Sequence, residues 1–509
     1  MDYKQLLKGT LFLVIAGFLS RFIGFFYRIY LSNILGPKNL GIYQLIFPIY
    51  SICYTIYASG LQTAISQTVA SKLSSNNKNT NITSPFFTGA SISLFLSFIL
   101  SGILYKLSPS ISIHILNEPH CALPLRILSL IFPFCGLTAC INGFYYAIKR
   151  TGIPSISQLI EQIFRVGLVF ILFSIFNVNN TTCEIAVLGL VFGEFISCIY
   201  MIIALLNNKE FHSSLFNNKH SKFALTEYFF SYRKLISYTL PLTLNKLFVS
   251  ILTSIESILI PIMLVKYGLS HNASLSIYGI LTGMSMSFIL FPSTITNSLA
   301  VVLLPTISEA NAQNKKTEIE DTVSKTLHYC LIIGLLSLTL FSIWGKDIGN
   351  TIFHNKSSGL FIQILAPLCP FMYISTTFSS ILNGLGKTKT TFINSIISIV
   401  IKLLFIIFIV PKVGIKGYLL GMLISTISVC ILDLLSLRKY INIKLNSFHS
   451  IIKPGIIISF TGFIINIIYK YFISNYNTSK LLILFLSCLL FALINILLLF
   501  FDTKKIINH

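Results

Sequence analysis

Runs of about 20 apolar residues recur from one end of this chain to the other and leave few folds open. They fall near 10 to 35, 41 to 65, 86 to 105, 122 to 148, 155 to 177, 184 to 206, 235 to 260, 277 to 303, 327 to 345, 360 to 383, 390 to 411, 414 to 436, 452 to 473 and 480 to 501. In hydrocarbon every backbone N–H and C=O must be bonded internally, which only helices and closed barrels achieve. Barrel strands are about 9 to 11 residues long and alternate strictly, whereas these runs are long and uniformly apolar, so helices are expected. With 54% hydrophobic and 10% charged residues over 509 positions, the chain lacks the polar surface of a soluble globule. It reads as an all-α membrane protein of about 14 transmembrane helices. Arg21 interrupts the first run and no A-x-A site follows, so no cleaved signal peptide is expected.

Basic residues set the orientation. If the N-terminus is cytoplasmic, 22 of the 37 Lys and Arg lie in inside segments, nine lie outside and six fall within spans. The excess assigns both termini of this multi-pass chain to the cytoplasm. It also accounts for most of the +22 net charge as topology and contact with anionic lipid heads, and no basic block interleaved with aromatics points to nucleic acid.

An internal repeat organises the spans. A shift of 237 positions lays Leu123, Ile127, Leu128, Pro133, Phe134, Thr151 and Ile156 on identical residues at Leu360, Ile364, Leu365, Pro370, Phe371, Thr388 and Ile393. The same shift lays Arg150 on Lys387 and Arg165 on Lys402, and a shift of 235 pairs Ile42 and Tyr43 with Ile277 and Tyr278. Six spans separate each pair, so both copies run the same way and are expected to be related by a pseudo-two-fold along the membrane normal. The division that follows is an N-terminal lobe (1–206, spans 1 to 6), a cytoplasmic linker (207–234), a C-terminal lobe (235–436, spans 7 to 12), and two extra helices with a tail (437–509). The linker mixes Lys and His with Phe211, Phe216, Phe223, Tyr228, Phe229 and Phe230; it either lies on the membrane surface as an amphipathic segment or is a plain tether.

Intramembrane charge is the next constraint. Gly17, Arg21, Gly24 and Arg28 share one face of span 1, because residues three and four apart align along a helix. A charge at the bilayer centre costs about 2.5 to 3.5 kcal/mol even on a lenient scale, so it should face a wet or protein-lined interior. Span 7 carries a polar stripe of Thr239, Thr243, Lys246, Ser250, Thr253 and Ser257, flanked by Asn245 and Glu256. Arg21, Arg28 and Lys246 would offer an anion two guanidinium forks and one mobile ammonium, a set suited to a diphosphate. The other reading of the arginines is that they snorkel to an interface. Glu161 and Arg165 stand four apart on span 5, the spacing of a helix-surface ion pair, and either neutralise each other or line the cavity with Lys402. Glu194 on span 6 and Asp433 on span 12 either couple to a cation or proton or are simply solvated. Prolines at Pro48, Pro133, Pro241, Pro292 and Pro370 are candidate kinks.

Ten scattered cysteines with no C-x-x-C, and histidines in loops or at span ends, predict neither a metal cluster nor a structural disulfide. No glycine-rich phosphate cradle is visible, so no nucleotide or other cofactor is expected and the chain reads as no enzyme.

The stretch KGTLFLVIAGFLSRFIGFFYRIYLSNILGPKNLGIYQLIFPIY (8 to 50), with SGLQTAISQTVASK (59 to 72), EQIFR (161 to 165) and LLPTISEA (303 to 310), resembles the multidrug/oligosaccharidyl-lipid/polysaccharide exporter superfamily. Within it the likeness is to the sporulation and lipid II flippase-like branch, over nearly the whole chain. The resemblance implies a flippase that carries an undecaprenyl-diphosphate-linked sugar precursor, such as a lipid II-like unit of spore-cortex peptidoglycan, in a sporulating bacterium's cell or forespore membrane. It maps the first-helix arginine of an S-R-x-x-G-F pattern onto Arg21. Arg28 is shifted relative to that branch's second arginine, and span 8 has no arginine where the branch places another cation; Lys246 would substitute. Drive would come from a coupling cation or the membrane potential. Another polysaccharide-unit flippase and a cation-coupled drug antiporter are the near alternatives, and a membrane glycan polymerase the distant one; the last needs carboxylates for acid–base work, and the outer loops offer only Glu118, Glu184 and Asp347.

Overall fold

A computed structural model of the chain describes residues 3–74, 83–175, 182–208, 211, 225–442, 448–475 and 479–507. Those residues form helices and no strand. They group by contact into two compact units, Met1–Tyr27 with Ile34–Ile262, and Arg28–Asn33 with Met263–His509.

The first unit contains α1 (Tyr3–Leu45, apart from its Arg28–Asn33 stretch), α2 (Phe47–Tyr54), α3 (Gly60–Ser74), α4 (Thr83–His114), α5 (Ala122–Ser129), α6 (Phe132–Ala147), α7 (Gly152–Ile175), α8 (Thr182–Leu206) and α9 (Leu225–Lys266) as far as Ile262. The second contains α10 (His271–Gly279), α11 (Met286–Leu290), α12 (Ser293–Ala312), α13 (Lys316–Ile352), α14 (Lys356–Leu365), α15 (Leu368–Gly384), α16 (Thr388–Phe408), α17 (Ile415–Arg438), α18 (Lys453–Asn475) and α19 (Lys480–Ile507). Single π-type turns, Thr55–Ser59 and Ile280–Ser285, interrupt spans 2 and 8.

Among the described residues eleven helices are long and apolar enough to cross a membrane, and thirteen if two bent pairs each count as one span. The first candidate runs 59 residues, Ile15–Leu73, and about 20 residues suffice for one crossing. It breaks at Gly36, whose φ of 69° and ψ of 172° precede Pro37; read as two crossings, it completes the count expected from the sequence.

The repeat is visible inside each unit. Spans 4 and 10 are the two bent pairs, by 48° and 55°, at breaks that the 237-residue shift superposes and that Pro133 and Pro370 follow. Pro at a helix start supplies no N–H to the preceding turn, so the helix restarts in a new direction. In unit 1, α3 and α4 pack on α6 and α7 packs on α8; in unit 2, α12 and α13 pack on α15 and α16 packs on α17. The apolar clusters correspond too: Ile141, Phe144 and Tyr145 in one, Phe378, Ile381 and Leu382 in the other. Gly143 of α6 meets the Gln62 carbonyl, 2.6 Å from an ideal Cβ, and its counterpart Ser380 bonds the Ala300 carbonyl.

Two further features extend the sequence reading. The final helices α18 and α19 dock on α13, where buried Trp344 meets Phe491 at 5.4 Å and Tyr469 at 6.4 Å. Phe211, the first aromatic of the 207–234 segment, is buried among Phe86, Phe87 and Phe144; positions 209–210 and 212–224 of that segment lie outside the described residues. The ten cysteines are free thiols, most of them buried.

Candidate functional site

Span 1 presents three faces. Ala16, Tyr27, Leu31 and Leu35 are buried, whereas Phe18, Phe22 and Phe26 are exposed at 38 to 52%. At 3.6 residues per turn, Arg21 and Arg28 fall at the edge of the packed side and off the phenylalanine face. Both are exposed. Arg21 has no hydrogen-bond or ion-pair partner among the described residues, and Arg28 does have an interaction. On the packed side Gly24 faces Gln162 of α7, whose Oε1 lies 3.9 Å from an ideal Cβ at Gly24 and is itself buried without a partner.

The polar stripe of span 7 lies on one seam with span 2, inside the first unit. The Lys246 ammonium donates to the Ser59 carbonyl at 3.1 Å, the Ser59 hydroxyl at 3.0 Å and the Thr63 hydroxyl at 3.2 Å. Ser250 Oγ lies 2.9 Å from Ser51 Oγ, and Ser254 donates to the Pro48 carbonyl at 3.0 Å. A Cβ at Gly60 would fall 1.8 Å from Thr243 Oγ1, so only glycine allows this approach. Of the expected stripe, Thr243, Lys246 and Ser250 face span 2, while Thr253 and Ser257 bond carbonyls of their own helix. Asn245 is exposed beside Lys246, and Glu256 is buried with a partner of its own. The sequence division at 235 rests on the repeat, whereas contacts group α9 with the first unit through Ile262.

Glu161 and Arg165 form the i,i+4 ion pair, with side chains 21% and 15% exposed. Glu194 of α8, 8% exposed, is in electrostatic range of both and of Thr138 and Cys135 on α6; Cys135 Sγ lies 3.4 Å from the Tyr50 hydroxyl. Close packing makes this grouping possible. Cβ atoms at Gly189 and Gly193 would meet the Arg165 and Glu161 carbonyls at 3.2 and 2.7 Å, the small-xxx-small device of membrane helices. Lys402, the counterpart of Arg165, is half-buried in the second unit with a partner.

In sequence Asp433 reads as an isolated acid. The structure buries it fully, accepting from Asn394 Nδ2 at 2.8 Å and Ser379 Oγ at 3.2 Å. The signal for this enclosure is the repeat itself: the positions matching Asn394 and Asp433 in the first unit, within one residue, are Ser157 and Ser197, whose hydroxyls lie 2.6 Å apart. Ser59 and Thr63 escape sequence reasoning altogether, since nothing in local sequence marks a π-type turn. Among the described residues no group of three or more His, Cys, Asp or Glu is placed to hold a metal ion.

The sequence profile of a family described as polysaccharide biosynthesis protein matches residues 6–311, and that of MatE matches residues 246–408. Stage V sporulation protein B of Bacillus subtilis (strain 168) is 25% identical over 483 residues, covering 92% of this chain and 90% of its own length. Lipid II flippase MurJ of the same organism is 22% identical over 457 residues, covering 86% of this chain and 83% of its own. A solved structure of lipid II flippase MurJ in an inward closed conformation shares the fold, with a TM-score of 0.64 at 17% identity over 97% of this chain and 100% of that one.

Proposed function

Because the chain belongs to the polysaccharide biosynthesis protein family, we propose that it is a flippase that moves an undecaprenyl-diphosphate-linked cell-wall sugar precursor across the bacterial membrane by alternating access. The proposed cargo is a lipid II-like unit for spore-cortex peptidoglycan, which the likeness to stage V sporulation protein B supports. The carrying observation is Arg21: a guanidinium within an apolar span, exposed and with its donors unclaimed among the described residues. Such a group needs an anionic partner, and a diphosphate supplies paired oxygens in the geometry a guanidinium fork fits.

In this reading Arg21, Arg28 and Lys246 hold the diphosphate, while Asn245 and Glu256 line the cavity or couple transport to an ion. The prenyl tail stays in lipid, so only the polar head needs a protein-lined path across about 30 Å of hydrocarbon. Glu161, Arg165, Glu194 and Lys402 are proposed to line the path or couple transport to a cation or the membrane potential. Both termini are cytoplasmic, and the forespore membrane is a proposed location. The protein catalyses no covalent step, needs no cofactor and takes membrane lipid as solvent and substrate.

A drug antiporter is the second reading, favoured by the MatE match over 246–408. The cationic set of Arg21, Arg28 and Lys246 repels a cationic drug and attracts a phosphate, which supports the flippase reading. The test is equilibrium binding of labelled undecaprenyl diphosphate to purified protein, with the monophosphate and a lipophilic drug cation as competitors. We expect the diphosphate to be held more tightly than the monophosphate and to be indifferent to the cation; displacement by the cation would favour the antiporter.

A further inference from the structure

The seam between spans 2 and 7 has a feature that packing alone does not require. All three N–H bonds of the Lys246 ammonium go to neutral oxygens, those of Ser59 and Thr63, and the residue is nevertheless exposed. A side chain retained only to fasten two membrane helices would do so more cheaply without charge, because an ammonium within an apolar span is costly and neutral acceptors replace its hydration incompletely. The acceptor is also specialised. Ser59 closes the π-type turn Thr55–Ser59, a distortion that recurs at functional sites. The next residue, Gly60, leaves no room for a side chain against Thr243. Ser250 on Ser51 and Ser254 on the Pro48 carbonyl continue the seam.

We propose that Lys246 is a latch: its ammonium fastens span 7 to Ser59 and Thr63 of span 2, and a phosphate oxyanion releases it by taking over its hydrogen bonds. This rests on the diphosphate reading given above and adds to it a sequence of events. An oxyanion adds to each ammonium hydrogen bond a charge–charge attraction that a hydroxyl or carbonyl oxygen does not supply, so an arriving diphosphate wins the three donors. Span 7 then loses the Lys246 tie to span 2 and keeps the Ser250 and Ser254 contacts. Lys246 is thereby a positioning residue for the seam before it is a ligand of the headgroup.

The test uses a cysteine pair. Ser51 and Ser250 face each other with their hydroxyl oxygens 2.9 Å apart, so Ser51→Cys with Ser250→Cys in the full-length protein can form a disulfide across the seam. Its rate of formation under a mild oxidant is scored from linked peptides by mass spectrometry. Inorganic pyrophosphate is the probe, sulfate the control, and binding of labelled pyrophosphate is measured on the same samples. We expect bound pyrophosphate to slow crosslinking about tenfold, the equivalent of about 1.4 kcal/mol. Lys246→Met should crosslink slowly with or without the probe. Thr63→Val, which keeps the ammonium and removes one acceptor, should reach the slow state at lower pyrophosphate and covers the case in which Lys246→Met does not fold. Bound pyrophosphate with an unchanged crosslinking rate overturns the latch alone. A response that persists in Lys246→Met also overturns it. Failure of pyrophosphate to bind removes the diphosphate reading and the latch with it, so the two failures are told apart by the binding measurement.

Discussion

Arg21 and Arg165 are both guanidiniums within apolar helices, and their surroundings differ. Arg165 is paired with Glu161 one turn away and is mostly buried. Glu161→Gln should therefore remove the paired carboxylate, leave Arg165 with Glu194 in electrostatic range, and lower stability by up to about 3 kcal/mol, read as a fall in melting temperature. Adding Arg165→Met should restore much of the loss, and failure to restore it would show that the pair serves something other than itself. The i,i+4 spacing makes this pair legible in the sequence alone. Arg21 is legible there as a charge on one face, but the partners of Lys246 are not, because Ser59 and Thr63 come from another span and meet the ammonium only in the folded chain. Asp433 is hidden for a similar reason: a carboxylate near a helix end looks solvated until Asn394 and Ser379, from two other helices, are seen to enclose it.

Helix against helix, the deciding contacts are made by residues with almost no side chain. Gly189 and Gly193 let α8 reach the backbone of α7. A leucine at Gly193 would meet the Glu161 carbonyl, and overpacking of this kind costs about 1 to 3 kcal/mol or more. Gly193→Leu is expected to reduce folded yield and melting temperature, while Gly17→Leu, at a position with nothing within 4 Å of an ideal Cβ, should be tolerated. Equal effects at the two sites would contradict the packing. The C-terminal pair gives a second case. Trp344 carries the aromatic contacts to Tyr469 and Phe491, so Trp344→Ala should raise hydrogen exchange in α18 and α19 and leave α3 and α6 unchanged. Element number is readable from apolar length, whereas the bends are readable only in part. Pro133 and Pro370 follow the breaks; Pro241 and Pro261 lie inside the continuous helix α9.

Across the whole molecule the repeat gives the firmest link between sequence and fold, since the 237-residue shift recovers bends, helix pairings and apolar clusters in both units. Matched elements that run the same way require matched positions on the same side of the membrane. Arg150→Cys and Lys387→Cys should both react with a membrane-impermeant maleimide from the cytoplasmic side only, and Lys356→Cys from the outside only; labelling of the first two from opposite sides would overturn the topology. What the repeat does not conserve is as telling. The second unit holds Asn394 where the first holds Ser157 and Asp433 within one residue of the position of Ser197, and the first holds Glu161, Arg165 and Glu194 where the second keeps a basic residue alone. A common fold has thus been given different charge in each half, which periodicity and hydropathy do not register because they count apolar positions. The central claim, a flippase with Arg21 in its diphosphate site, is tested most directly by leaflet accessibility of labelled lipid II in proteoliposomes, with the intact protein compared to Arg21→Ala at matched insertion. Movement of the label between leaflets is expected with the intact protein, and its loss with the variant. Equal movement by both would remove Arg21 from the site, and no movement by the intact protein under an imposed ion gradient or potential would contradict lipid II as cargo.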